Sequence, residues 1–350
     1  MSALWWACGE DIEFPTRHTY MKSDTAATKR RTAYVRAALG NTASGATTHT
    51  TIGAVMADGV PLAAPLNDGW FSCQYFHFLT AGESGSAARP SVGLGGSAVV
   101  GGLFIGRLQT NYDKLALFKI TSAGVATTLA VEVASTYTSA ALARFDIHFT
   151  GWDSVSGTVD VYLNGASTPQ LSFSGDLTCS GVPDLDRFRL MGDSKPGEVA
   201  DYQHVSEVII ADEDTRSFAG VASLAPTAAG TTNTFDTGAY TDVDEVVVDD
   251  ADLIASATVA QEFDCNINDL PAGDFVVRGI KVSARAVRGA TGPATLKVGV
   301  NSGGTRDTAD RSLTTALETH ERMMELNPIT GLRFTTAETN ALQICLKSAT

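Results

Sequence analysis

Short runs of alternating apolar and polar residues, closed by turn-forming residues, limit this chain to β structure more than any other feature does. In residues 144–149 every second side chain is apolar. Residues 157–163 alternate in the same way, end in Asn164-Gly165, and are followed by a second β run at 170–173. Alternation with a period of two predicts half-buried strands, and Asn-Gly between two such runs predicts a hairpin.

Similar runs recur along the whole chain, whereas helical periodicity is confined to two short stretches. These are 312–318 and 335–341, and in the second Thr335 and Glu338 have the spacing of a capping box. Many short strands separated by turn residues are typical of β-sandwiches, so we predict an all-β fold. The other predicted strands are 70–79, 101–108, 114–120, 187–191 and 205–211, followed by 245–248, 259–263, 275–286, 294–300 and 342–347.

The stretch 215–236 differs from its surroundings because it consists mostly of small residues with few large apolar ones. Such a composition predicts a linker or an extended strap between two folded parts. We therefore expect four segments along the chain. They are an N-terminal anchor or extended segment at 1–40, a first β-sandwich at 41–216, the linker at 217–240 and a smaller second β-sandwich at 241–350.

Charge and hydropathy exclude several classes of function. The 350 residues carry a formal net charge of −14, which repels phosphate backbones and argues against binding to nucleic acid. No stretch approaches the roughly 20 apolar residues of a membrane span, so no membrane insertion is expected. The opening MSALWWACGEDIEFP has no basic region before an apolar stretch, and no signal peptide is expected.

The five cysteines are widely spaced and contain no CxxC pair, which favours neither a zinc site nor a disulfide framework. The acidic clusters at 212–214 and 242–252 do not match the spacing of a calcium-binding loop. We accordingly predict no metal and no cofactor.

Residues with the chemistry of catalysis are present but scattered. Glu207, Asp146 and Asp160 stand alone on their strands, where we expect solvated positions, and no E-x-D-x-x-E motif of a glycosidase occurs. A polysaccharide lyase needs a Tyr–His pair with a basic residue nearby. Tyr75 and His77 have the spacing that places two side chains on one side of a strand, and His148 could pair with them across the sheet.

The sequence thus predicts no catalytic residue and suggests ligand-binding candidates instead. Trp152 lies in the predicted turn TGWDS, where an exposed indole could stack on a sugar. Tyr75 and His77 are the other two candidates.

The N-terminal segment has a high aromatic load and the only local basic cluster. Its side chains either pack on the first sandwich or anchor the chain to a neighbouring subunit, and we favour the anchor. The interface candidates are Trp5, Trp6, Phe14, Lys29, Arg30 and Arg31.

Two segments between residues 70 and 215 resemble the concanavalin A-like, laminin-G-type jelly roll. FDIHFTGWDSVSGTVDVYLNG is similar to the hairpin of that family, and HVSEVIIADEDTRS is similar to its closing strand with an acidic turn. The resemblance implies a concanavalin A-like β-sandwich for the first domain.

The remainder resembles tail and minor structural proteins of double-stranded DNA bacteriophages. The segments that carry this likeness are ADEDT, VRGIKVSARAVRGATGP, NPITG and FTTAETNALQICLKS. Phe334 stands where the family often has Trp, and Ile344 where a Gly often follows the Gln. The resemblance implies a virion protein of the tail, a fibre or the head decoration. Its expected partners are other virion proteins and further copies of itself, with a trimer as one candidate state.

Three functions remain open at this point. The first is a non-enzymatic virion structural protein that takes part in assembly and host attachment. The second is a glycan-binding module that recognises a host-surface receptor on the same particle. The third, a polysaccharide-cleaving enzyme, lacks the motifs that this chemistry needs.

Overall fold

A computed structural model describes most of the chain and divides it into two compact units. The first unit extends to Val221 and the second comprises Ala222–Thr350. The described residues are 3–7, 16–17, 21–23, 37–40, 55–58, 62, 64–78, 88–96, 101–108, 114–133, 143–191, 202–218, 220–244, 250–273 and 275–350.

The first unit is built from antiparallel strands. In chain order they are β1 Ala3–Ala7, β2 Thr16–Arg17, β3 Met21–Ser23, β4 Ala37–Gly40, β5 Val55–Asp58, β6 Gly69–Phe78, β7 Ala88–Gly95, β8 Gly102–Leu108, β9 Leu115–Ile120, β10 Ala126–Val131, β11 Ala143–Thr150, β12 Gly157–Leu163, β13 Leu171–Gly175, β14 Arg187–Met191 and β15 Tyr202–Ala211.

These strands form two sheets that face each other. One sheet has the order β13-β12-β11-β6-β15-β4-β3, with β1 also paired to β15, and the other has the order β10-β9-β8-β7-β14-β5-β2. Their inner faces share one apolar core, to which Phe71 and Phe145 contribute from the first sheet and Ile105 and Phe188 from the second. The first unit is therefore a β-sandwich of the jelly-roll type, as the sequence predicted.

The second unit is a smaller β-sandwich. Its strands are β16 Pro226–Asn233, β17 Glu262–Ile267, β18 Ile280–Ala286, β19 Thr295–Ser302, β20 Thr305–Ser312, β21 Glu318–Met324 and β22 Gln343–Ala349, and it contains a short α-helix, α1 Thr336–Asn340. A sheet of order β16-β17-β22-β19-β20 packs against the pair β18-β21. Val282 and Met324 from the pair meet Val298 and Val300 from the larger sheet in its core.

The predicted linker at 217–240 contains an element that the sequence did not suggest. β16 pairs with β17 at the edge of the larger sheet, which suits its first residue, Pro226, because an edge strand need not donate every backbone hydrogen bond. A Cβ on Gly230 would stand 2.5 Å from the carbonyl carbon of Asp264, so the close approach of the two strands requires glycine. The small residues that resembled a linker are thus partly an edge strand.

Two other local predictions have different outcomes. The helix at 335–341 is confirmed, because α1 is capped by Thr335, whose side chain accepts from the Glu338 backbone N–H. The helix at 312–318 is wrong, since these residues turn the chain from β20 into β21. There the Thr314 hydroxyl bonds to both backbone groups of Ala316, and such local bonds compete with a helix.

The cysteines within the described residues are Cys73, Cys179, Cys265 and Cys345, and all four are buried free thiols. Burial raises the pKa of Cys179 to about 11 and that of Cys345 to about 12. Their role in the fold is therefore that of small apolar side chains. In the described part of the chain, no helix has the length and apolar character that a membrane span needs.

Candidate functional site

The outer face of the first sheet carries a group of stacked rings. Alternation along β6, β11 and β12 directs Phe71 and its neighbours to the core and leaves Trp70, His148 and Tyr162 on the opposite side. Trp70 lies directly across from His148, and their ring centres are 4.5 Å apart with planes 17° from parallel. Tyr162 also stacks on Trp70, with the two ring centres 5.8 Å apart.

An arginine covers these rings. The guanidinium carbon of Arg216 lies 4.2 Å from the Tyr162 ring centre and 5.2 Å from that of Trp70, which is cation–π geometry. Asp214 holds the guanidinium by two bonds, from Nε to Oδ1 at 2.9 Å and from Nη2 to Oδ2 at 2.6 Å. We call Trp70, His148, Tyr162, Arg216 and Asp214 the arginine-capped cluster.

The segment that supplies the arginine is fixed to the sheet by a buried polar network. Asp146 Oδ1 accepts bonds from Thr215 Oγ1 at 2.7 Å and from Arg144 Nη2 at 3.1 Å. Arg144 also donates to the backbone carbonyls of Thr215 and Phe218. These contacts hold the residues around Arg216 against the outer face, so the cap is a built part of the fold.

The expectation that Asp146 and Glu207 are solvated is wrong. Asp146 is fully buried because residues 214–218 cross over it. Glu207 is 3 % exposed and has a φ of 51°, at the register shift between Ser206 and Ile209. A bulge there breaks the alternation on which the prediction depended.

Polar groups border the cluster on the β12 and β13 side. Asp160, across from His148, accepts a bond of 2.6 Å from the hydroxyl of Ser172, which is exposed. Asp214 and Tyr162 remain partly exposed as well. The site therefore presents carboxylate acceptors and guanidinium donors around an aromatic surface.

The environment shifts the titration of the cluster. Burial lowers the pKa of His148, against the opposing effect of Asp160, Asp214 and Asp68, which favours the neutral imidazole. Burial likewise raises the pKa of the Tyr162 phenol. The hydrogen bonds from Arg216 lower the pKa of Asp214, which keeps this ion pair charged.

Trp152, the predicted ligand platform, is a core residue. It is 3 % exposed, and its indole N–H donates to the Val182 carbonyl at 3.0 Å. Its turn folds back so that its own backbone N–H bonds to the carbonyl of Asn67. The prediction is wrong because a ring buried among core side chains offers no face to a sugar.

Tyr75 is also not a ligand-binding residue on the outer face. It is fully buried and meets the Phe145 ring edge-on at 6.1 Å, inside the core. His148 in β11 lies across from Trp70, which is five positions before Tyr75 in β6 and on the opposite face of the sheet. The Tyr75–His148 pair is therefore not formed. His77 lies in β6 across from Gln203, and its side chain is outside the described residues.

The predicted N-terminal interface is only partly described. The backbones of Trp5 and Trp6 lie in β1, paired with Ile210 and Ile209 of β15. Their side chains, and the whole of Phe14, Lys29, Arg30 and Arg31, are outside the described residues. The interface role of these six residues stays a prediction.

The sequence contains a signal for the cluster, although none of its residues was predicted as a binding site. Trp70 begins the aromatic run 70–79, and only its position in the alternation separates it from the core aromatics. Asp214 is the N-cap of a three-residue 3-10 helix, Thr215–Ser217, and Arg216 is its middle residue. Nothing local indicates that this turn crosses β11 and β12.

Comparisons with known proteins give structural likenesses but no family. No protein-family model matches the chain, and no curated protein matches it. Among solved structures it is similar to an alginate lyase from Aplysia kurodai, with 8 % identity, a TM-score of 0.39, and coverage of 60 % of this chain and 99 % of the lyase.

Two further similar structures are a cellulose-induced protein and a carbohydrate esterase from the Shiga toxin-encoding bacteriophage phi24B. The first has 13 % identity, a TM-score of 0.38 and coverage of 61 % of this chain and 97 % of that protein. The second has 14 % identity, a TM-score of 0.31 and coverage of 61 % of this chain and 98 % of the esterase. The class that fold and site define is a protein of two β-sandwich units with an aromatic surface site on the first.

Proposed function

We propose that this chain is a non-enzymatic attachment and structural protein of a bacteriophage particle, and that its first unit binds a host-surface glycan. The observation that carries the glycan-binding part is the arginine-capped cluster on the outer face of the first sheet. The virion part rests on the sequence resemblance, above all on NPITG and TTAETNALQ in the second unit.

The cluster can make the two kinds of contact that bind a sugar, which are packing on its C–H face and hydrogen bonds to its hydroxyls. The C–H face of a pyranose ring packs on aromatic and guanidinium surfaces, such as those of Tyr162 and Arg216. Its hydroxyls bond to charged groups, and such charge-assisted bonds are the stronger ones. Asp160, Asp214 and Ser172 stand beside the rings and supply these partners.

The motifs that carry the phage resemblance are structural in the second unit. In NPITG the Asn327 side chain accepts from the Ile329 backbone N–H at 2.8 Å, and Gly331 adopts a φ of 68°. TTAETN is the capped helix α1. Their role here is to shape a turn, so we assign the virion partners, other virion proteins and further copies of this chain, on the resemblance.

Polysaccharide cleavage is the second candidate function, because the cluster brings together a tyrosine, a histidine and an arginine. Proton abstraction needs a base whose pKa is near the working pH. The raised pKa of Tyr162 disfavours the phenolate, and the charge of Arg216 is already compensated by Asp214. These features favour binding over cleavage.

Glycan binding is tested with the full chain on an array of bacterial surface glycans, followed by titration of the best ligand. We expect Tyr162→Ala to weaken binding about tenfold, which is about 1.4 kcal/mol. Ser174→Ala is the matched control, because Ser174 is exposed on the neighbouring β13 and is not part of the cluster. Absence of any glycan ligand, or an equal loss in the control, would contradict the proposal.

Two further measurements address the other parts of the proposal. Immunogold labelling of intact particles should detect the protein on the virion, and purified particles without it would overturn that assignment. Incubation with bacterial polysaccharides should release no unsaturated sugar. Release that is lost in His148→Ala would establish the second candidate function instead.

A further inference from the structure

The described residues of the two units differ in how they expose large apolar side chains. In the first unit these are Val125, Val133 and Val155, which lie outside the strands at three separate places in the chain. In the second unit several are grouped. Val276, Ile329 and Leu332 are 70 %, 55 % and 69 % exposed, and Met323 and Leu326 are exposed too.

Backbone contacts bring these five residues to one end of the second unit. Val276 forms an isolated bridge with Thr335, three residues after Leu332. The Asn327 N–H donates to the Leu332 carbonyl at 2.7 Å, which places Leu326 beside Leu332. We call Val276, Met323, Leu326, Ile329 and Leu332 the apolar end.

The remaining contacts show that the apolar end is a built surface. Met323 pairs with Lys281 in the β18-β21 sheet, and Arg333 donates to the Arg278 carbonyl at 2.8 Å. Ile329 is held at the tip of the NPITG turn, near the β19–β20 hairpin, where its Cδ1 lies 3.5 Å from the position of a Cβ on Gly303. A defined turn therefore holds Ile329 in an exposed position.

A group of exposed apolar side chains at one end of a domain is uncommon on a monomer and typical of an interface. The charges around it suggest which partner it meets. Arg278 and Arg333 are balanced by Glu325 and Glu338, whereas the whole chain carries −14. Copies of an acidic chain repel one another, so a surface on which they associate must be locally neutral.

We infer that the apolar end is the contact through which copies of this chain associate. The patch meets its equivalent on the other copy, since closed contacts of identical surfaces are the commonest in homo-oligomers. In such a contact the exposed Val276, Ile329 and Leu332 become buried, and the arginines of one copy are complementary in charge to the glutamates of the other. This inference uses only the second unit and does not depend on glycan binding by the first.

The test is the mass of the full chain in solution at micromolar concentration, by light scattering on a sizing column. We expect the wild type to elute as an oligomer of the 36.6 kDa chain and Leu332→Ser, combined with Ile329→Ser, to shift towards the single-chain mass. Leu253→Ser is the matched control, because Leu253 is 55 % exposed and lies outside the apolar end. Unchanged circular dichroism shows that the variants are folded.

A charge-reversal variant distinguishes specific association from non-specific hydrophobic association. Arg333→Glu makes the end acidic without changing its apolar residues and should also give single chains, and Arg333→Glu combined with Glu325→Arg should restore part of the oligomer. A monomeric wild type would overturn the inference. So would an oligomer that persists in both the serine and the Arg333→Glu variants.

Discussion

The guanidinium of Arg216 lies on the ring of Tyr162, with its central carbon 4.2 Å from the ring centre. The two residues are 54 positions apart in the chain and meet because the Asp214–Phe218 turn crosses β11 and β12. Neither strand alone could hold a cation there. The contact makes the end of β15 and the turn after it part of the same surface as the hairpin.

Removing the cap should have a small and measurable cost. We expect Arg216→Ala to lower the free energy of unfolding by about 1 kcal/mol, the usual size of a cation–π contact at a partly exposed site. Arg216→Lys keeps the charge but lacks the flat guanidinium. Its free energy of unfolding should therefore lie between those of the wild type and Arg216→Ala. Chemical denaturation of the three proteins decides this, and an Arg216→Ala variant as stable as the wild type would mean that the cap does not bind the rings in solution.

The stability of the first unit should depend on pH through His148. Because burial lowers its pKa in the folded state, the unfolded chain binds more protons below the ordinary histidine pKa of about 6.5. The contribution of neutral His148 to the free energy of unfolding is thus complete above that pH. It is lost as the pH falls towards the pKa of His148 in the folded state. Denaturation at a series of pH values should show stability decreasing below about pH 6.5.

His148→Gln should reduce this slope, since glutamine does not titrate. When the whole chain is measured, part of the slope should remain, because burial also lowers the pKa of His320 in the second unit. If the slope is the same with and without His148, the ring is not buried against Trp70 as the structure has it.

The second unit should depend strongly on one ion pair. Asp264 is 1 % exposed, and Arg306 reaches its Oδ2 at 2.6 Å and Glu262 at 3.1 Å. Arg306→Leu leaves a buried carboxylate without its cation, which should cost about 3–5 kcal/mol. The control Lys297→Ala breaks an exposed pair with Asp310 and should cost about 0–1 kcal/mol.

Equal melting temperatures for Arg306→Leu and Lys297→Ala would contradict this account. The double variant Asp264→Leu with Arg306→Leu should recover part of the loss, because apolar residues of similar volume can replace a buried pair.

Limited proteolysis should divide the chain between its two units. Among the described residues, 220–225 form no strand, whereas Phe218 is buried and Pro226 begins β16. Elastase, which cuts after small apolar residues, should therefore cleave within 220–225 before it cleaves within β16. Mass spectrometry of the first fragments checks this, and a first cut inside the β12–β13 hairpin would contradict the boundary.

The N-terminal strand provides a test of the predicted anchor at 1–40. β1 pairs with residues 208–211 of β15, so deletion of residues 1–13 should uncover that edge and lower stability by about 2–4 kcal/mol, at about 1 kcal/mol for each hydrogen bond. A control without Met1 and Ser2 keeps β1 and should melt like the wild type. An unchanged melting temperature after the longer deletion, together with loss of assembly, would support the anchor instead.

Much of the fold was readable from the sequence because strand alternation and turn chemistry are local. The hairpin at Asn164-Gly165 and the helix capped by Thr335 and Glu338 both depend on residues a few positions apart. The short alternating runs, together with the scarcity of helical periodicity, predicted an all-β chain.

Tertiary structure decided which polar and aromatic residues are buried, because burial depends on what packs on a face from elsewhere in the chain. Trp152 looked exposed and is in the core, while Asp146 looked solvated and is covered by the turn at Asp214–Phe218. The alternation of β6 distinguishes its two faces, but only the second sheet shows which face is the core. The cluster around Tyr162 required a segment 54 residues further along, and no local pattern encodes such a contact.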